Sequence, residues 1–275
     1  MRKQELMMRK LWLLPLVACV SFSSVGAQDT GTSAAKPPAL QTADSLTPEL
    51  APAPSATDIL MNAERLRGAE TDGLVMTVKI DDVGTNTPTQ VMKVSAKGDK
   101  SLVEFMRPKK QQGRKILMVG NNMWFVSPSV RKPIPISTRQ RLLGQASNGD
   151  IASTDYASDY AVKLLRRDNL QERSCYVLEL LANSKKATYQ RIEYWVDSDN
   201  FEALRADYFA VSGKLFKSAK FEYNNQLIVD DTAHKFISKI ILSNAISNNQ
   251  TTISYFEPQT QSISARTFDL RRLTR

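Results

Sequence analysis

Histidine and cysteine are scarce in this chain: its 275 residues hold one His and two Cys. A lone imidazole, His234, cannot supply the second ligand or acid–base partner that most His-based metal centres need. A Ser–His–Asp arrangement would need just one, so that class is disfavoured rather than removed. Long apolar runs are absent too. No internal segment reaches the ~20 consecutive apolar residues of a spanning helix, which excludes a multi-span helical membrane protein. C-x-x-C, H-E-x-x-H, G-x-S-x-G and Gly-rich phosphate loops do not occur, so the chemistry those motifs carry has no anchor here. What is present is ordinary for a globular chain: 42% hydrophobic and 24% charged residues. The length suits one large domain or two small ones, and Lys and Arg outnumber Asp and Glu by 37 to 28, a formal charge of +9.

The N-terminus reads as an export signal. Arg2, Lys3, Arg9 and Lys10 precede the apolar run 11–20, and Ser23-Ser24-Val25-Gly26-Ala27 follows with small residues at the cleavage positions. The expectation is a signal peptide over residues 1–27, cleaved near Ala27/Gln28 to leave a soluble periplasmic product. A second reading stays open, because Leu16-Val17-Ala18-Cys19 resembles a bacterial lipobox, which would anchor the chain by lipid at Cys19. Either way Cys175 is the sole remaining internal thiol. The fold then stands without an intramolecular disulfide. Losing four basic groups and Glu5 takes the charge from +9 to +6. Residues 28–56 are rich in Pro and Ala, lack aliphatic periodicity and read as a flexible linker.

The folded domain is expected over 57–275. Thr57 or Asp58 can cap a helix whose apolar stripe is Ile59, Leu60, Ala63 and Leu66, with Glu64, Arg65 and Arg67 on the far side and Gly68 at its end. From Gly73 the period changes to two: Leu74, Met76, Val78 and Ile80 alternate with their neighbours as a half-buried strand. Strand-like runs recur at 90–96, 101–106, 114–119, 123–126, 162–167, 174–181, 188–196, 203–211, 215–223 and 236–242. Gly98-Asp99, Asn121-Asn122, Ser212-Gly213 and Asn224-Asn225 supply tight turns between them. Pro128, Pro133 and Pro135 interrupt the ladder, and short helices are expected at 138–143 and 149–154. The fold class is therefore α+β and mainly antiparallel β: an open, curved β half-barrel with short helices closing one side.

Chemistry-bearing patterns are few. Asp155 and Asp159 could form a carboxylate pair beside Tyr156 and Tyr160, although carboxylates in such a loop more often cap helices. The densest cationic segment is Arg107-Pro-Lys-Lys-Gln-Gln-Gly-Arg-Lys115, joined by Arg131-Lys132, Arg139 and Arg141. It suits anionic headgroups or an acidic partner surface, and no nucleic-acid motif accompanies it. Several strands are apolar on both faces, as in Tyr189, Ile192, Tyr194 and Trp195, then Leu204, Tyr208, Phe209 and Val211. Such a set can line a cavity instead of merely filling a core.

The leader, the helix ending Ala63-Glu64-Arg65-Leu66-Arg67-Gly68 and the meander resemble the LolA-like outer-membrane lipoprotein-sorting proteins, in particular their uncharacterised, spirochaete-type branch. Gly120-Asn-Asn-Met-Trp124-Phe125-Val-Ser-Pro128-Ser-Val-Arg131-Lys132-Pro133-Ile134 is similar to that branch's Trp-containing signature, and Gly149-Asp-Ile-Ala-Ser-Thr-Asp155-Tyr156-Ala-Ser-Asp159-Tyr160 to its Ser-Asp-aromatic segment. Tyr156-Ala157-Ser158 departs from the usual aromatic-Ser-Tyr order, and Tyr160 replaces an aliphatic residue. The resemblance spans roughly residues 57–256. It implies a half-barrel with an apolar cavity for acyl chains, no enzymatic activity, no cofactor and no metal. The implied role is a periplasmic carrier binding acyl chains of a lipoprotein or lipid for outer-membrane sorting, with an inner-membrane exporter or outer-membrane acceptor as partner. The alternative is an envelope sensor or exporter-accessory protein of the same fold that binds a membrane partner. By composition, Trp124, Phe125, Trp195, Tyr208, Phe209 and Phe221 are the cavity candidates. Arg107, Arg131 and Arg139 are the candidates for headgroup or partner contact.

Overall fold

The structure is a computed structural model that describes residues 53–68, 71–152, 156–247 and 249–273. The leader with Cys19 and the Ala27/Gln28 site, most of the linker, and Asp155 lie outside the described residues. The first element is helix α1 (Ala56–Arg65). Its cap is Ser55, two residues before Thr57 and three before Asp58, the expected caps. Ser55 Oγ accepts from Asp58 N, and the Asp58 carboxylate accepts from Ser55 N, a reciprocal capping box. Ile59, Leu60 and Ala63 are buried as expected. Glu64 and Arg67 are buried as well, which corrects their placement on a solvated side.

Strands β1 (Leu74–Val83), β2 (Gln90–Lys97), β3 (Lys100–Arg107), β4 (Lys115–Val119), β5 (Asn122–Val126) and β6 (Ile134–Ile136) form an antiparallel meander. A small hairpin, β7 (Arg141–Leu143) and β8 (Ala146–Ser147), then leads into helices α2 (Asn148–Ala152) and α3 (Tyr156–Asp159). A second meander follows: β9 (Tyr160–Leu170), β10 (Arg173–Ala182), β11 (Arg191–Asp197), β12 (Ala203–Phe209) and β13 (Leu215–Glu222). The hairpin β14 (Asn225–Val229) and β15 (Thr232–Phe236) precedes β16 (Lys239–Asn244) and β17 (Gln250–Thr260), and the short helix α4 (Leu270–Leu273) comes last. Thirteen strands make one antiparallel sheet in the order β6-β5-β4-β3-β2-β1-β17-β16-β13-β12-β11-β10-β9.

The last long strand is thus the central one, joining the two meanders through β1 and β16. Periodicity alone misses β17, because its buried positions Thr251, Ile253 and Tyr255 are only partly apolar. The expected helix at 138–143 is instead the β7 hairpin. Gly144 turns it with φ +53°, and a Cβ there would sit 2.1 Å from Asp82 Oδ1, so the site admits no side chain.

Both sheet edges are protected against further pairing. β6 has three residues and contains Pro135, while β9 presents exposed Lys163, Arg166 and Arg167. The segment between β6 and α2 also ties the β6 edge to the β10–β11 connection: Thr138 Oγ1 donates to Lys186 O (2.8 Å), Arg139 Nε to Ala187 O (2.9 Å) and Lys186 Nζ to Asn122 Oδ1 (3.0 Å).

Strand alternation separates two faces. The inner one carries Met76, Val78, Met92, Val94, Leu178, Ile192, Ile240 and Ile253, packed in one continuous cluster with Ile59 and Leu60 of α1 and Ile151 of α2. The outer face carries two smaller clusters. One brings Leu102 and Leu117 against Ile263 and Phe268 of the C-terminal segment, and the other joins Cys175, Val177 and Trp195.

Candidate functional site

Period-two alternation sends every second side chain of the sheet inward, and what covers that surface is short: α1 has 10 residues, α2 has 5 and α3 has 4. Beneath them lies an unusual concentration of phenols. All eight tyrosines of the chain, residues 156, 160, 176, 189, 194, 208, 223 and 255, belong to the inner cluster. Tyr156 meets Tyr160 and Tyr194 edge-on at 5.4 and 6.0 Å, and Tyr194 meets Phe221 at 5.8 Å. Burial pushes the phenols of Tyr156, Tyr189, Tyr194 and Tyr208 upward, so they stay neutral donors. Tyr194 is fully buried, and its hydroxyl has no hydrogen-bond partner among the described residues.

Two buried ion pairs fix the short covering elements. Glu64 on α1 pairs with Arg67 at 3.1 Å, with side-chain exposures of 1% and 6%. The same carboxylate accepts the Tyr156 backbone N–H at 2.7 Å, joining α1 to α3, and the Arg67 guanidinium lies 4.6 Å over the Tyr156 ring. Burial by itself would depress the Arg67 pKa, but Glu64 and the surrounding tyrosines raise it above its ordinary value. The second pair joins α2 to the sheet. Lys217 Nζ on β13 donates to Asp150 Oδ2 (2.8 Å), to Gln145 O (3.0 Å) and to Tyr189 Oη. Asp150 also accepts from Ser147 N and Ser147 Oγ, both at 2.8 Å, and from Tyr189 Oη at 2.6 Å. Burial pushes the Asp150 pKa up, and the Lys217 ammonium with these donors outweighs it, leaving the carboxyl below its ordinary range. All three Lys217 ammonium protons and both Asp150 oxygens are engaged, the condition under which a buried pair is tolerated.

The six aromatic candidates do not share a face. Tyr208 and Phe221 are in the inner cluster, with Phe125 packed against it. Trp124 lies against the outer cluster of Leu102 and Leu117. Trp195 is in the other outer cluster, where its Nε1–H donates to Asp168 Oδ2 at 3.1 Å and Arg205 lies 5.0 Å over its ring. Phe209 ends β12 beneath the Arg191 guanidinium, 4.1 Å away. Adjacent residues such as Trp124 and Phe125 point oppositely on a strand, so no list that includes both can line one wall. Arg107 is exposed at the end of β3, Arg131 in the β5–β6 connection and Arg139 before β7. Of the carboxylate pair, Asp159 ends α3 and Asp155 is outside the described residues.

Sequence alone does not reveal the Glu64–Arg67 and Asp150–Lys217 pairs, although β13 carries a signal. Lys217 shares the inward parity of Ala219 and Phe221. A lysine in register with buried apolar residues implies a buried partner.

A family model described only as "Uncharacterized protein" matches residues 97–275. Among solved structures, a LolA superfamily protein from Nitrosomonas europaea is 29% identical with a TM-score of 0.72, covering 79% of this chain and 98% of that one. A Vibrio parahaemolyticus domain described as an outer membrane lipoprotein-sorting protein is 16% identical (TM-score 0.67; 80% and 98% covered). A DUF1329 family protein from Desulfovibrio piger is 22% identical (TM-score 0.66; 79% and 97% covered), and these two show the fold alone. No curated protein matches. The open sheet, the short helices on its inner face and these matches agree: the chain is a LolA-like protein, a member of the uncharacterised family whose model spans residues 97–275.

Proposed function

We propose that this protein is a non-enzymatic periplasmic carrier that takes acyl chains of a lipoprotein or lipid between its sheet and its short helices. Residues 1–27 are its leader, 28–56 its linker and 57–275 its binding domain. One observation carries the reading. A broad apolar face is covered by detachable short helices instead of a second sheet, so release of α1 uncovers a ready acyl site. The magnitudes permit this. Lifting α1 off the sheet forfeits about 1.5–3 kcal/mol for each of Ile59 and Leu60, and about 3 kcal/mol more for the buried Glu64 contacts with Arg67 and Tyr156 N. An acyl chain of ~16 carbons regains about 0.8 kcal/mol per buried CH₂ relative to water, on the order of 12 kcal/mol. Burial of a chain presented in water can therefore drive opening without chemical energy, a chain drawn from a bilayer needs a partner to present it, and a partner that favours the closed form can drive release.

Arg107 and Arg131 on the exposed rim serve as contacts for a membrane headgroup or the partner. Native mass spectrometry with lipid extraction, on protein exported and purified without detergent, tests the proposal. A stoichiometric lipid or lipopeptide adduct is the expected result. Clean apo-protein that also refuses a fluorescent acyl probe would refute it, and the sensor reading would then lead.

A further inference from the structure

Where β11, β12 and β13 end beside the β7–β8 hairpin, the surface opens into a pocket of about 340 Å³. This volume is at the lower end of the range for small-ligand sites, about 300–1,000 Å³, and suits a headgroup with its first few carbons better than a whole lipid. Its aromatic and apolar lining residues include Tyr189, Phe209, Phe216 and Val211, with Phe216 6.0 Å from Tyr189. Phe216 and Val211 are both solvent-exposed. Arg139, Arg141 and the buried Lys217 line the same pocket. No acidic side chain lines the pocket.

The charges differ in availability. Lys217 is neutralised by Asp150. Among the described residues Arg139 is held by backbone carbonyls: Nε donates to Ala187 O at 2.9 Å and Nη2 to Lys185 O. Its guanidinium is thereby oriented, and no carboxylate among the described residues pairs with it. Arg141 is exposed and meets no carboxylate among the described residues. A pre-oriented guanidinium that shares a pocket with a second one and with aromatic side chains suits recognition of a phosphate bearing a short apolar neighbour.

We infer that this pocket is a binding site for the anionic phosphate head of an amphiphile, with Arg139 and Arg141 on the phosphate and Phe209 and Phe216 against the first carbons of the chain. The inference deepens the carrier reading, since it names a head-group class and a place for it outside the helix-covered face.

The test titrates the full mature chain with octyl phosphate, octyl glucoside and inorganic phosphate, each below its micelle concentration, by calorimetry. Octyl phosphate is expected to bind one site at least tenfold tighter than either other probe. R141Q should weaken it about fivefold and R139Q/R141Q tenfold or more, with circular dichroism unchanged. Raised NaCl should weaken it as well. Equal binding of the octyl phosphate and glucoside, or an R141Q variant with unchanged affinity, would overturn the assignment. Inorganic phosphate binding as tightly as octyl phosphate would show an oxyanion site without an amphiphile's chain, and would overturn it too. Long-chain acyl uptake measured alongside separates the two readings. Uptake without octyl phosphate binding sinks only the pocket, whereas octyl phosphate binding without uptake sinks only the carrier.

Discussion

Lys217→Met is the sharpest perturbation of the closed form. The lysine is 3% exposed and Asp150 5% exposed, so the substitution leaves a carboxylate buried with its cation gone. Removing one partner of a buried pair costs about 3–5 kcal/mol. For a domain of this size that corresponds to roughly 6–20 °C in Tm, at about 2–4 °C per kcal/mol. The pH dependence supplies the sign. In the wild type the folded Asp150 pKa is depressed, so its stabilisation is present above the unfolded value of about 3.9 and is lost as pH falls through the folded one. In Lys217→Met the desolvation that already opposes ionisation is no longer outweighed, and the folded pKa rises above the unfolded one. The variant should therefore gain stability relative to wild type on going from pH 7.5 to pH 5. Thermal unfolding followed by near-UV circular dichroism reads this directly, because all eight tyrosines lie in the inner cluster. The double variant D150L/K217M should recover most of the loss, since matched apolar replacement of a buried pair is near neutral. A loss under 1 kcal/mol in Lys217→Met, or one that does not shrink on acidification, would refute the idea that this pair fastens α2 to the sheet.

Three further outcomes are expected. Glu64→Gln should cost about 3 kcal/mol and speed hydrogen exchange across α1 more than across β1, because it leaves Arg67 uncompensated and weakens the bond to Tyr156 N; uniform acceleration would mean global destabilisation instead. Trp124→Ala and Trp195→Ala should lower Tm yet leave acyl-probe affinity within twofold, since both indoles belong to the outer face. Gly144→Ala should cost at least about 2 kcal/mol by urea denaturation, because its φ is positive and its Cβ would overlap Asp82 Oδ1 and Thr251 Oγ1.

Sequence periodicity located α1 and nearly all the strands of both meanders, because alternation such as Leu74-Met76-Val78-Ile80 is a direct record of one buried face. It does not reveal β17, whose central place in the sheet comes from pairing with β1, from Val83 with Gln250 to Leu74 with Thr260, and not from its own apolar content. It mistook β7 for a helix because the turn at Gly144 is enforced by Asp82 and Thr251, tertiary neighbours that no local pattern shows. For the site, composition found the aromatic residues without their parity, so Trp124 and Phe125 were grouped although they point opposite ways. The buried pairs were hidden for a related reason: Glu64 and Arg67 look like the solvated side of an amphipathic helix until α3 is seen lying across them.

The most direct test of acyl carriage is a photoreactive fatty acid with a mid-chain diazirine, crosslinked to the full chain and mapped by peptide mass spectrometry. Acyl carriage predicts saturable adducts on inner-face residues such as Met92, Val94 and Phe221, together with the facing side of α1. Adducts confined to the outer clusters around Trp124 and Trp195, or none that saturate, would contradict it.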